Sequence, residues 1–109
     1  MHELSITHSI VNIVVEHAAG RPVRRVKLQI GKLSGVQPDA VRFCFDLCAQ
    51  GTVAEGARLE VEEPPGQGRC QRCERLIELE FPLAVCNCAE RAPLTLCSGQ
   101  ELLVKEMEL

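Results

Sequence analysis

The sequence predicts an α+β fold in which two helices pack on a small three-stranded sheet that carries an inserted zinc-ribbon-like module. Three observations support this prediction. Apolar residues follow helical spacing near the amino terminus, two later stretches alternate apolar with polar residues, and four cysteines stand in two close pairs. We expect an α/β domain formed by residues 1–64 and 99–109, and a zinc-binding module formed by residues 65–98.

The first helix is predicted over residues 4–19, where apolar side chains recur at intervals of three and four. Gly20 and Pro22 follow directly and end it, because neither residue favours continuation of a helix. Over residues 24–33 apolar and polar side chains then alternate. This alternation predicts a strand with one buried face.

Pro38 and Asp39 predict the start of the second helix, since proline fits the first turn and an acid is favoured at the positive end of the helix dipole. Gly51 ends this helix. Its inward stripe is expected to contain Val41, Cys44, Phe45 and Cys48. The two cysteines lie one turn apart and have the spacing of a metal-binding pair, but beside two phenylalanines they are interpreted as small buried apolar residues.

Two further strands are predicted on either side of the cysteine-rich segment. Residues 57–63 alternate in the same way as the first strand, and residues 64–68, with two prolines and two glycines, break the periodicity and mark a boundary. Residues 101–109 are predicted to return to the first sheet as its third strand. Their expected faces are Leu103, Met107 and Leu109 on one side, and Leu102 and Val104 on the other.

The cysteine pairs differ in spacing: Cys70 and Cys73 form a C-x2-C pair, whereas a single residue separates Cys86 from Cys88. A tight turn points the first two sulfurs to one side, and residues two apart in an extended segment also face the same way. Four thiolate ligands leave no open coordination position on the metal. Such a site suits structural zinc or a mononuclear iron–sulfur centre, and it does not suit a catalytic metal. Cys97 is the rival of Cys88 as the fourth ligand.

Charge and cysteine count exclude several classes of protein. Disulfides are not expected, because the seven cysteines are odd in number and no secretory leader precedes them. The formal charge is −3, and a tetrathiolate zinc site would bring it to about −5, the wrong sign for a nucleic-acid-binding protein. No apolar run approaches membrane-spanning length. We therefore expect a cytoplasmic protein that binds neither nucleic acid nor membranes.

Met1-His2-Glu3 is a second candidate metal site. The His2 Nδ1, the free α-amine and the intervening amide nitrogen are able to close fused chelate rings on one metal ion, and such nitrogen donors favour Ni²⁺ or Cu²⁺. On its own the motif is a weak signal, because a terminal histidine is ordinarily a solvated residue. His8 and His17 are interpreted as surface residues.

These features together resemble the HypA/HybF family of hydrogenase maturation nickel metallochaperones. The resemblance covers nearly the full length of the chain. It rests on the cysteine pairs and on short stretches that occur in the right order: MHELS at 1–5, IGKLSGV at 30–36, VRFCF at 41–45, GTVAEGA at 51–57 and SGQEL at 98–102. One departure is that the family's second pair is C-x2-C, which would place the second cysteine at Ala89 rather than Cys88.

The resemblance implies a protein that binds Ni²⁺ through His2, with the Met1 amine and Glu3 close by, and that holds Zn²⁺ with its cysteine pairs. Glu3 and Glu62 are the candidate secondary nickel contacts. The implied partners are a HypB-type GTPase, the precursor of the [NiFe]-hydrogenase large subunit and, in some organisms, urease accessory proteins. Such a chain is not an enzyme, and it would be a monomer or a homodimer.

Two alternatives use the same cysteines without nickel. The first is a zinc-ribbon adapter that mediates protein–protein or, less favourably, nucleic-acid interactions; it predicts that replacing His2 changes nothing. The second is a thiol redox catalyst that uses Cys70 and Cys73, but no β-α-β pattern surrounds the motif and the other cysteines would then have no role.

Overall fold

The computed structural model describes residues 3–80, 85–88 and 91–109. The predicted α+β class is confirmed, with two helices and two three-stranded sheets in these ranges. The elements are α1 (Glu3–Ala18), β1 (Arg25–Ile30), α2 (Pro38–Ala49), β2 (Arg58–Glu62), β3 (Gly66–Cys70), β4 (Leu76–Leu79), β5 (Leu94–Ser98) and β6 (Leu102–Glu108).

The first sheet has the strand order β2-β1-β6, with β1 parallel to β2 and antiparallel to β6. Helix α2 connects the two parallel strands, as a parallel pair requires a crossover connection. Val26, Leu28 and Ile30 of β1 are almost fully buried and share one core cluster with the apolar residues of both helices. The predicted elements of this half therefore form one core.

Strand β6 presents its apolar residues differently from the prediction. Val104, Met107 and Leu109 pack against the core cluster, whereas Leu102 and Leu103 are exposed. The prediction that Leu103 shares a face with Met107 was therefore wrong.

A β-bulge explains this difference. Lys27 of β1 pairs with Glu106, but the next residue, Leu28, pairs with Val104, so that Lys105 is the extra residue of β6. One inserted residue reverses the alternation of faces on either side of it. Periodicity in the sequence does not reveal such an insertion.

The second sheet has the order β4-β3-β5, and all its neighbours are antiparallel. Residues 66–68 were predicted to break the regular structure, but they form the start of β3. Close packing favours glycine here, most strongly at Gly66: a Cβ on Gly66 would lie 2.5 Å from the Leu33 side chain, and one on Gly68 would lie 3.0 Å from that of Leu79.

The chain just beyond β1 connects the two sheets. The N–H groups of residues 31–33 donate hydrogen bonds of 2.6–3.0 Å to the carbonyl oxygens of Pro64, Gly99 and Glu101. The described part of the molecule is elongated, with extents of 57 × 23 × 17 Å. The division into a domain of residues 1–64 plus 99–109 and a module of residues 65–98 stays a prediction.

The described residues contain the helices α1 and α2, and neither helix is long and apolar enough to cross a lipid bilayer.

Candidate metal centre

Four cysteine sulfurs converge where β3 ends. The Sγ atoms of Cys70, Cys73, Cys86 and Cys88 all lie within 4.8 Å of one another. The Cys70–Cys88 distance is 3.9 Å and the Cys73–Cys86 distance is 3.6 Å. A tetrahedral zinc ion with bonds of about 2.3 Å requires sulfur–sulfur distances of about 3.8 Å. The donor set therefore fits zinc in both chemistry and size, whereas a disulfide needs about 2.05 Å.

The loop after β3 holds the first two cysteines. The N–H groups of Arg72 and Cys73 each donate to Cys70 Sγ at 3.4 Å. Two backbone hydrogen bonds close the loop, from Cys70 N–H to Arg75 O at 3.0 Å and from Glu74 N–H to Cys70 O at 3.1 Å. Glu74 adopts a φ of 61°, the left-handed conformation that reverses the chain direction. This geometry aims both sulfurs to one side, as predicted for a C-x2-C pair.

The second loop is built in a similar way but is one residue longer. Cys86 N–H donates to Ala92 O and Arg91 N–H donates to Cys88 O, both at 3.0 Å. Arg91 has a φ of 46° and takes the place that Glu74 has in the first loop. The Cys88 sulfur lies with the other three, although its pair has one residue between the cysteines rather than two.

Hydrogen bonds distribute negative charge unevenly among the thiols. The N–H groups of Arg72 and Cys73 lower the pKa of Cys70 to about 6. The N–H of Arg75 lowers the pKa of Cys73, but the neighbouring sulfurs and burial outweigh it and raise this pKa to about 11. Like charges so close together oppose further ionisation. Cys70 is therefore the thiol of this pair that ionises first.

One contact at this centre was missed by the sequence analysis. Nη2 of Arg75 lies 3.8 Å from Cys86 Sγ, so a guanidinium of the first loop reaches a sulfur of the second. The sulfurs raise the pKa of Arg75, Cys86 first by its hydrogen bond and then by its charge. In the sequence, Arg75 stands two positions after Cys73. This position does not by itself show that the guanidinium contacts Cys86.

The remaining cysteines lie apart from this group. Cys97 is exposed on β5, and its Sγ donates to Thr95 O at 3.5 Å. The structure thus brings Cys88, and not Cys97, to the other three sulfurs, while the ligand role of each cysteine stays a prediction. Cys44 and Cys48 are half-buried on α2, and Cys48 packs against the core. Burial raises the pKa of the Cys48 thiol.

The amino-terminal candidates are only partly described. Met1 and His2 lie outside the described residues. Glu3 is the first residue of α1, and its Oε2 accepts a hydrogen bond of 3.3 Å from the N–H of Gln37, which precedes α2. The beginnings of the two helices are therefore close together, and Glu3 directly follows His2 in the sequence.

Glu62 lies on the face of the first sheet that the helices leave open. Its carboxylate accepts a hydrogen bond from Gln29 at 2.6 Å and forms ion pairs with Lys105 at 3.0 Å and Lys27 at 3.3 Å. These donors, Gln29 first, lower the pKa of Glu62 to about 2. Its part as a nickel contact stays a prediction.

Comparison with known proteins identifies the family. A family described as "Hydrogenase/urease nickel incorporation, metallochaperone, hypA" matches residues 1–109. The chain belongs to the HypA family.

Curated relatives agree with this family over nearly their full length. The hydrogenase maturation factor HypA of Nostoc punctiforme is 56% identical over 109 residues, which are 100% of this chain and 96% of that protein. The factor of the same name from Geobacter sp. is 48% identical over 113 residues, covering 100% of this chain and 99% of that protein. These names are those of maturation factors, and the prediction that the chain is not an enzyme is confirmed.

A solved structure shares the fold. The solution structure of the Ni metallochaperone HypA from Helicobacter pylori matches with a TM-score of 0.71 and 21% identity, covering 100% of this chain and 97% of that one. The arrangement of helices and sheets described above is therefore the HypA fold.

Proposed function

We propose that this protein is a nickel metallochaperone that binds Ni²⁺ at its amino terminus, delivers it during maturation of [NiFe]-hydrogenase, and contains a structural zinc ion. The observation that carries the proposal is the family match over residues 1–109, a range that includes Met1-His2-Glu3 and all four clustered cysteines. The two metals have separate roles, because their donors differ in number, softness and exposure.

Zinc would be held by Cys70, Cys73, Cys86 and Cys88, whose sulfur spacing suits a closed tetrahedral site. When bound, it supplies a fixed connection between two loops that are remote in the sequence. A site with four thiolates leaves no position for substrate or water. This metal therefore maintains structure and does not take part in nickel transfer chemistry.

Nickel, by contrast, is cargo that must leave. The His2 imidazole, the Met1 amine and the amide nitrogen between them are few donors and harder than thiolates, with Glu3 as a further contact. A dissociation constant in the micromolar range, about 8 kcal/mol of binding free energy, would permit exchange with a tighter acceptor. Four soft thiolates would retain an ion too firmly for this purpose.

The proposed partners are proteins of the same maturation process. Relatives are named hydrogenase maturation factors, and the family description mentions both hydrogenase and urease. We therefore propose a HypB-type GTPase and the hydrogenase large-subunit precursor as partners, with urease accessory proteins in organisms that have them.

Calorimetric Ni²⁺ titration of the zinc-loaded protein with its native amino terminus tests this function. The wild type should bind about one Ni²⁺ per chain, and His2→Ala should abolish binding without loss of zinc by elemental analysis. His17→Ala is the matched control, since its ring contacts Ile13 O near the opposite end of α1 and its loss should leave the titration unchanged. Equal nickel binding by wild type and His2→Ala, or none by either, would favour the adapter function instead.

A further inference from the structure

The two cysteine loops satisfy their sulfurs in different ways. Cys70 Sγ accepts two N–H groups from the backbone of its own loop. Cys86 Sγ, besides its contact with Cys73 Sγ, accepts a hydrogen bond from the side chain of Arg75, in the other loop. A charged side chain therefore performs for the second pair what the backbone of a C-x2-C turn performs for the first.

The backbone of Arg75 is held by the first loop, and its exposed side chain extends from there to Cys86. Its carbonyl accepts the N–H of Cys70 at 3.0 Å and so closes the first loop, at the point where β4 is about to begin. Cys86 is fully buried. A buried thiolate without a donor would be strongly disfavoured, and a guanidinium is both a charge partner and a hydrogen-bond donor.

We propose that Arg75 is a positioning residue for the zinc centre: its guanidinium neutralises part of the tetrathiolate charge at Cys86 and thereby slows zinc release. This inference rests on the proposed function, because it requires zinc to occupy the four cysteines. Arg75 touches a ligand and not the metal, so its effect is exerted through the sulfur. Outer-shell partners of this kind typically change metal affinity by roughly 10–100-fold.

The test is the rate at which zinc passes from the reduced, zinc-loaded protein to the chromophoric chelator 4-(2-pyridylazo)resorcinol. Arg75→Met should release zinc about tenfold faster than the wild type, and Arg75→Lys, which keeps the charge but lacks the planar fork, should fall between them. Arg91→Met is the matched control. It removes the same charge from the second loop, where Arg91 donates to Cys88 O through its backbone N–H, a bond that the substitution keeps.

A spectroscopic measurement separates this role from a general loosening of the loop. In the Co²⁺-substituted protein, loss of the N–H···S bond leaves more negative charge on the Cys86 sulfur and raises the energy of its lone pairs. The sulfur-to-metal charge-transfer band should therefore move to lower energy in Arg75→Met, return partly in Arg75→Lys and stay in place in Arg91→Met. A loop that is merely less stable would release metal faster without moving the band.

The outcomes distinguish the two proposals. If the wild type holds one zinc ion and Arg75→Met matches the wild type or Arg91→Met in release rate, the role of Arg75 is refuted and the zinc site stands. An unmoved charge-transfer band likewise refutes the hydrogen bond as the cause. If the reduced wild type contains no zinc, both proposals fail.

Discussion

Cys88 and Cys97 show how the position of one thiol depends on the loop around it. Cys88 stands in a loop that Cys86 N–H closes onto Ala92 O, and its sulfur faces Cys70. Cys97 lies on β5 with its sulfur near the backbone of its own strand. Both residues carry the same thiol, and they differ in how close that thiol lies to the other cysteine sulfurs.

We predict that Cys88→Ser weakens zinc binding by more than the roughly 10–100-fold typical of an outer-shell change, because it removes one of four donors. Cys97→Ser is the matched control and should retain zinc like the wild type. Elemental analysis after dialysis against a chelator measures both variants. Zinc loss from Cys97→Ser together with retention by Cys88→Ser would assign the fourth ligand to Cys97.

Glu62 is an acid on the open face of the first sheet, where its carboxylate contacts Lys27, Gln29 and Lys105. Its folded pKa of about 2 lies below that of an ordinary glutamate, chiefly because Gln29 and Lys105 donate to it. A depressed pKa contributes stability that is present above the unfolded pKa, about 4.3, and that is lost as the pH falls toward 2.

We predict that Glu62→Gln lowers the urea midpoint at pH 7 and that the difference from the wild type shrinks between pH 4.5 and pH 3. Glu63→Gln is the control: Glu63 is exposed and makes no ion pair with a described residue. Its midpoint should match the wild type throughout. A Glu62→Gln difference that does not vary with pH would contradict the ion-pair explanation.

At the scale of elements, the bulge in β6 decides which side chains enter the core. The extra residue, Lys105, points to the open face, where it pairs with Glu62, while Val104 and Met107 both turn inward. A regular strand would have placed one of these two apolar residues in solvent. The bulge therefore serves the core and the ion-pair network together.

The start of β3 depends on a residue without a side chain. A Cβ on Gly66 would meet Leu33 at 2.5 Å and the backbone oxygen of Leu79 at 2.7 Å. The Leu33 side chain is able to change its rotamer, but the backbone oxygen of Leu79 is not able to move away in this manner.

We predict that Gly66→Ala lowers the free energy of unfolding of the zinc-loaded protein by about 1–3 kcal/mol, the usual cost of overpacking. Gly68→Ala should cost less, because its nearest neighbours are side-chain atoms of Leu79 and Leu94 at 3.0 and 3.1 Å. Urea denaturation of both variants provides the comparison. A larger loss for Gly68→Ala would show that the Leu33 contact does not limit packing at this junction.

At the scale of the whole molecule, the two sheets have very different cores. The first cluster contains fourteen buried residues from both helices, β1 and the segments that follow them, whereas the second contains only Cys70, Cys86 and Ala92 among the described residues. So small a cluster cannot offset the conformational entropy of the strands around it. We therefore propose that metal binding at the four clustered cysteines supplies the difference.

We predict that removal of zinc from the reduced protein unfolds the second sheet and leaves the first folded. Far-UV circular dichroism should retain the signal of α1 and α2. Amide resonances of residues 66–70 and 76–79 should collapse to random-coil positions, and those of residues 25–30 should stay dispersed. Adding Zn²⁺ back should restore all of them, and an apo protein with a fully dispersed spectrum would contradict this prediction.

The sequence by itself determined the α+β class, the two helices to within one residue at each end of α1, and the strands of the first sheet. These features follow from local periodicity and from Pro and Gly signals, which act over a few residues. The sequence also indicated the family, because short stretches typical of it occur in the right order along the chain.

Only the tertiary structure decided the bulge in β6, the strand at residues 66–68, the approach of Cys88 to three other sulfurs, and the contact between Arg75 and Cys86. Each depends on how segments remote in sequence pair and pack. The apolar pattern of one segment does not reveal a one-residue shift in register or a position that requires glycine. Both affect the free energy of folding only through contacts with another segment of the chain.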